Sequence, residues 1–215
     1  MGNSSNGTGG SFPGKGRIET LTDGIFGIAM TLLVLDIRVP MLPKEITTIA
    51  LEQRVFNLWP KFLVYVLSFV ILAIFWVSHS IQFHYVRRAN RTLFYINILI
   101  LMLVAFIPFS THLLSEHIEH PFAVAFYGGH LMLIWICQFL HWYYVTTGGR
   151  LVDSDIDPNV VNAVMRRIII ASITYVIAIA VSYFSTKLSI AVYGISIIMC
   201  ILPGRIDRYW DYSKE

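Results

Sequence analysis

The stretch Arg17-Ile-Glu-Thr-Leu-Thr-Asp23-Gly-Ile-Phe-Gly-Ile28-Ala-Met-Thr31-Leu32-Leu-Val-Leu35-Asp36-Ile37 decides the solvent in which this chain folds. Between Asp23 and Asp36 it carries no ionisable group. With the apolar positions on either side it reaches the length of about 20 residues at which a helix crosses a hydrocarbon layer of about 30 Å. Lys15 and Arg17 precede the run as the basic end of a signal peptide would. The run, however, contains Asp23 and continues to Ile37 without a small-residue cleavage site, so it is read as a helix of the mature protein.

Outward from that stretch, apolar segments recur at roughly 58–85, 93–114, 122–146, 165–184 and 188–203, the first one occupying 18–37. Each is long enough to span, with the last marginal. The 215 residues are 56% hydrophobic and 13% charged. Soluble domains are about a quarter charged, so the composition itself asks for lipid. The expected class is all-α and integral to the membrane, with six transmembrane helices per subunit over residues 17–205. A Gly-, Ser- and Asn-rich disordered segment at 1–16 and a short cytoplasmic tail at 206–215 flank it.

Basic residues set the expected orientation, because Lys and Arg accumulate in cytoplasmic connections. With both termini inside, the inner segments hold Lys15, Arg17, Arg87, Arg88, Arg91, Arg150, Arg166, Arg167, Arg205, Arg208 and Lys214. The outer ones keep Arg38, Lys44, Arg54, Lys61 and Lys187. A multi-pass protein of the cell membrane with cytoplasmic termini follows. The net charge of +3 does not point to nucleic acid, since these residues lie singly or in pairs at the ends of apolar runs, and the densest group, Arg87, Arg88 and Arg91, reads as a membrane-flanking anchor. Cys137 and Cys200 sit in apolar segments without metal-ligand spacing and read as small hydrophobes rather than a disulfide.

Two connections are informative. The one from Arg38 to Pro60 is bounded by Pro40, Pro43 and Pro60 and has room for a short amphipathic helix around Ile46–Phe56 at the outer surface. The one from Gly148 to Asn159 places Asp153, Asp155 and Asp157 at alternate positions, as a calcium loop does, but lacks the central Gly and terminal Glu. It is read as a solvated turn in which Asp157-Pro158 starts the next helix. No internal repeat is visible, so symmetry about a pore has to come from assembling several chains.

Ionisable groups inside a span are expensive and face protein or water. At 100° per residue, Ile28, Leu32 and Leu35 fall within about 60° of each other, Thr31 borders them, and Asp23 points nearly the opposite way. Depth gives Asp23 its expected partners. It lies about 9 Å past Arg17, Asn97 lies about 9 Å past Arg91, and His79 lies about 12 Å before Arg87. These three are expected to form a polar knot fastening the first span to the second and third, with gating as its second role. Asp36, near the outer end, is either a member of a carboxylate ring that concentrates cations or a partner of Arg38 or Lys61. Glu19, at the inner end, has the same two readings. The remaining histidines, His84, His112, His117, His120, His130 and His141, do not pair with one another at the i, i+4 spacing of a one-helix metal site. No metal or other cofactor is expected. The sequence also lacks a nucleophile elbow, an HExxH pair and a phosphate loop, and so reads as a non-enzyme.

The chain resembles the bacterial members of the transmembrane protein 175 group, whose animal relatives are endosomal and lysosomal potassium channels. The likeness rests on Arg17, Leu21, Thr22 and Asp23 against the signature Arg-x-x-x-Phe-Ser-Asp, in which Leu and Thr replace Phe and Ser. It continues through Gly24 to Leu35, Phe75-Trp76-Val-Ser-His79, Asn97 and Pro108-Phe109-Ser110. Together these cover roughly the first half of the chain; the second half matches in hydropathy. The resemblance implies a homotetramer around a central pore lined by the first helix. Ile28, Thr31, Leu32 and Leu35 are then the pore-facing positions, Ile28 the inner constriction, and Arg17, Thr22, Asp23, His79 and Asn97 the polar network. Potassium is the implied permeant ion. A Thr-Val-Gly-Tyr-Gly filter is absent, and Val192-Tyr193-Gly194 lies inside an apolar run. Selection is therefore expected from pore width, dewetting at Ile28 and Leu32, and Thr31 hydroxyls. The competing reading is a proton-coupled secondary transporter using His79 and Asp23 as a relay, although such carriers usually show inverted repeats and broken helices.

Overall fold

A computed structural model of the chain describes residues 14–38, 47–149, 151–153 and 156–201. The expected disordered segment, as far as residue 13, and the expected tail at 206–215 lie outside these residues, as does Asp155 of the aspartate trio. In chain order the helices are α1 (Lys15–Leu32, continued by a 3-10 turn at Leu33–Asp36), α2 (Thr48–Phe56), α3 (Trp59–Tyr85), α4 (Arg91–Glu116), α5 (Pro121–Thr146), α6 (Pro158–Ser182) and α7 (Thr186–Ile201). Helix α1 takes in Lys15 and Gly16, two residues ahead of the expected boundary. Among the described residues there is no strand.

Five of these segments are long and apolar enough to cross a membrane: α1 with its 3-10 turn, α3 with α2 in continuation, α4, α5 and α6. The sixth expected span, α7, has 16 residues and is shorter. At 1.5 Å per residue its described length is about 24 Å.

The helix ends follow local chemistry. The Asn90 side chain accepts a hydrogen bond from the Leu93 amide at 2.9 Å, which caps α4. Asp157 does the same for Asn159 at 2.8 Å, with Pro158 in the first turn of α6. Prolines also occupy the first turns of α3 and α5, where the missing amide costs nothing. Gly148, with φ of 70°, terminates α5 in the left-handed region where a side chain would be strained. At the end of the bundle that holds Lys15, the α3–α4 turn and the α5–α6 connection are tied together. The Arg87 amide donates to the Leu151 carbonyl at 2.8 Å, and Arg87 Nε donates to Asp153 at 2.7 Å.

Helix α5 is the centre of the bundle and packs along α4 and α6; α6 in turn packs on α7, while α1 lies against α4 and α3. One close approach fixes α7 to α5. Tyr193 is fully buried, and its hydroxyl donates to the Val124 carbonyl at 3.0 Å. That hydroxyl stands 2.0 Å from where a Cβ on Gly128 would be, so the crossing requires glycine. Tyr175 stacks on Tyr193 with ring centroids 5.5 Å apart, and Tyr127 meets it edge-on at 5.7 Å. Tyr127 shares a 2.9 Å hydrogen bond with Ser68, to which Thr111 donates at 3.0 Å, linking α3, α4 and α5 in the apolar interior. Cys137 and Cys200 are buried free thiols.

Candidate functional site

The site begins with the division of α1 into faces. Ile18, Thr22, Phe26, Ala29 and Leu33 recur at three- and four-residue steps and are buried against the bundle. The other side is uncovered within the chain: Ile28 is 61% exposed, Leu32 43% and Leu35 61%. Thr31, Thr20, Gly24 and Gly27 are exposed beside them. Where Cβ atoms on Gly24 and Gly27 would stand there is open space. The Thr31 hydroxyl donates to the Ile28 carbonyl at 2.8 Å, so its oxygen lone pairs remain outward.

On the buried side a chain of hydrogen-bonded side chains joins three helices. His79 of α3 approaches Asn97 of α4, Nε2 to Oδ1, at 2.8 Å. The Asn97 amide donates to the Thr22 hydroxyl of α1 at 3.2 Å, and Thr22 donates to the Ile18 carbonyl at 2.8 Å. An amide oxygen can only accept, so His79 carries its proton on Nε2. All three side chains are buried. Phe83 stacks on the His79 imidazole with centroids 4.5 Å apart.

Asp23 stands outside this chain of hydrogen bonds, contrary to the expectation that it anchors the knot. Its neighbour Thr22 takes that place, because adjacent helical residues are turned 100° from each other and Thr22 is the one facing α4. Asp23 is exposed and accepts a 2.8 Å hydrogen bond from Trp76 Nε1. Trp76 and His79 are three residues apart on α3 and therefore share a face, so one helix holds both Thr22, through Asn97, and Asp23. Arg17 is exposed at the head of α1, and Glu19 pairs with Lys15 at 3.6 Å, one turn away.

The far end of α1 meets α4. Asp36 bonds His112 through one carboxylate oxygen and Ser115 through the other. Neither expected partner is the one it finds. Arg38 Nε donates to the Leu35 carbonyl at 3.3 Å, and Lys61 pairs with Glu116. His112, Ser115 and Glu116 were not singled out as site residues from the sequence. The available signal was a mixed one, His112 and Glu116 at i, i+4, which a search for paired histidines passes over. Trp76 likewise reads as an apolar residue until its indole N–H is given a partner.

Comparison with known proteins bears on what this arrangement is. Residues 17–108 match the family model for the endosomal/lysosomal potassium channel TMEM175. A potassium channel of Chamaesiphon minutus is 38% identical over 180 residues, which cover 82% of this chain and 88% of the relative. A potassium channel of Streptomyces collinus is 33% identical over 185 residues, 84% of this chain and 88% of the relative. The crystal structure of a lysosomal potassium-selective channel TMEM175 homolog from Chamaesiphon minutus superposes with a TM-score of 0.78 at 36% identity, covering 87% of this chain and 96% of that one. By sequence and by fold, this chain belongs to the TMEM175 family.

Proposed function

We propose that the chain is one subunit of a homotetrameric, potassium-permeable cation channel in the cell membrane, with both termini cytoplasmic. Its path is lined by Ile28, Thr31, Leu32 and Leu35 of α1. The observation that carries this reading is the uncovered face of α1. A helix that buries Ile18, Thr22, Phe26, Ala29 and Leu33 against its own subunit presents the four residues to whatever lies beyond. Exposed glycines and threonines on the same side suit close approach by another helix better than contact with acyl chains. The similarity to potassium channels supplies the ion and the symmetry.

Rings of Ile28 and Leu32 around an axis form a constriction that excludes water when narrow and conducts when widened. Thr31 adds the polar element. Its hydrogen is committed to the helix, so its oxygen is presented as an acceptor that can replace part of a cation's hydration shell. The Thr22–Asn97–His79 chain holds α1 to the bundle from behind, and Asp23 is held by Trp76. A widening of the path that moved α1 would have to break or carry these bonds, which is the basis for a role in gating. A proton relay through His79 and Asp23 is not favoured, since the two belong to separate hydrogen-bonded sets.

The test is ion flux into proteoliposomes with potassium, sodium and chloride salts. Ile28→Asn and Leu32→Asn are expected to raise cation flux and blunt potassium preference, because an amide ring is wetted more easily than an alkyl one. Flux and selectivity unchanged in both variants would remove α1 from the conduction path.

A further inference from the structure

A second set of chemistry-bearing side chains lies at the end of α1 away from Lys15. Asp36, His112 and Glu116 each offer one ligand atom, and these atoms all lie within 4.8 Å of one another. Asp36 comes from the 3-10 turn that continues α1, and the other two from the last turns of α4. His112 and Glu116 are four residues apart and so rise from one face of their helix. The third ligand arrives from a different element, which distinguishes the group from two residues that merely neighbour each other along a helix.

We propose that Asp36, His112 and Glu116 hold a divalent transition-metal ion of the Zn2+ type, with water in the remaining coordination position. One imidazole nitrogen and two carboxylate oxygens form a borderline donor set of the kind zinc accepts. Magnesium and calcium favour all-oxygen sites, and soft monovalent copper favours thiolates. Tetrahedral ligands at about 2.0–2.2 Å from zinc are about 3.4 Å apart. The present spread of up to 4.8 Å therefore has to close by little more than an ångström. His112 and Glu116 are exposed, His112 already bonded to Asp36 and Glu116 paired with Lys61, while the Asp36 side chain is 9% exposed and also held by Ser115. A ligating carboxylate oriented by a neighbouring hydroxyl is a common outer-shell feature of metal sites.

The same corner contains a competitor. The Lys61 ammonium pairs with Glu116 and has to release it before the carboxylate can reach a cation, and its own charge repels the incoming ion. Removing that charge should tighten the site while leaving every ligand in place. If α1 lines the conduction path as proposed above, Asp36 stands near its mouth. A bound divalent ion would then both oppose potassium entry and tie α1 to α4.

The experiment titrates the detergent-solubilised full-length protein with Co2+, whose visible absorption reports tetrahedral nitrogen and oxygen ligation, and then displaces it with Zn2+. One ion per chain is expected. His112→Ala and Asp36→Asn should each weaken binding at least about tenfold, and Lys61→Met should strengthen it severalfold. That gain cannot arise from misfolding. No tetrahedral cobalt spectrum in the unmodified protein, or unchanged affinity in His112→Ala and Asp36→Asn, overturns the site. Potassium flux in proteoliposomes is then measured with and without Zn2+, and slowing that is lost in His112→Ala is the expected result. A cobalt spectrum in a protein that passes no potassium would defeat the channel reading and leave the metal site intact. Binding with unaltered flux would defeat the placement of Asp36 at the mouth.

Discussion

Helices α1 and α5 are both apolar enough to cross a membrane, yet 61% of the residues in the spanning stretch of α5 are buried and only 28% of those in α1. Helix α5 is enclosed by its own chain. Gln138 donates to the Phe75 carbonyl at 3.1 Å, His130 meets Ser110 at 2.8 Å, and Tyr127 meets Ser68 at 2.9 Å, each inside the subunit. Helix α1 satisfies its buried threonine in the same way and leaves its opposite side without a partner. In a membrane, where apolar burial between helices contributes little, such a face is suited either to lipid or to another chain, and α6, also 28% buried, shares that property.

The contrast can be broken hardest at Gly128. Valine there would collide with the Tyr193 hydroxyl, 2.0 Å from the added Cβ, and is expected to displace α7 at a cost of about 3 kcal/mol or more. Thermal unfolding in detergent, followed by tryptophan fluorescence, would record it. Asn97→Leu comes next. It leaves the buried His79 N–H without its acceptor and Thr22 without its donor, for a loss of about 1–3 kcal/mol in the same assay. Trp76→Phe removes only the bond to exposed Asp23 and is expected to cost below about 1 kcal/mol. The smallest change is expected from Ile28→Asn, within about 0.5 kcal/mol of the parent despite its altered flux. A loss of about 1 kcal/mol or more there, with flux unchanged, would mean that Ile28 faces lipid, where an amide is not hydrated.

Five of the six expected spans were legible because a hydrocarbon layer imposes length and composition directly, and the sixth, α7, is a shorter apolar helix. Thr48–Phe56 was legible from the prolines that bound its connection, and the start at Asp157-Pro158 because capping chemistry is local. The polar level shared by His79 and Asn97 followed from counting 1.5 Å per residue. Counting gives depth, however, and the identity of the α1 partner depends on azimuth. Thr22 entered the expected network through the resemblance and not through helix counting, because a threonine can satisfy its hydroxyl on the carbonyl four residues back, as this one does on Ile18. Asp36 illustrates the other limit. Its sequence neighbours and a nearby lysine were natural partners by charge, but the meeting of α1 with α4 is a tertiary fact that hands it His112 and Ser115 instead.

Pro108 lies inside the continuous helix α4, between Asn97 on one side and His112 and Glu116 on the other. It withholds the amide that the Val104 carbonyl would otherwise receive. His130 of α5 reaches across this break, with Nε2 3.0 Å from the Leu103 carbonyl and Nδ1 2.8 Å from Ser110. The ladder's gap is thus flanked by bonds from outside the helix. A displacement of the His112 end is therefore shared with α5 at this level before it is felt at Asn97.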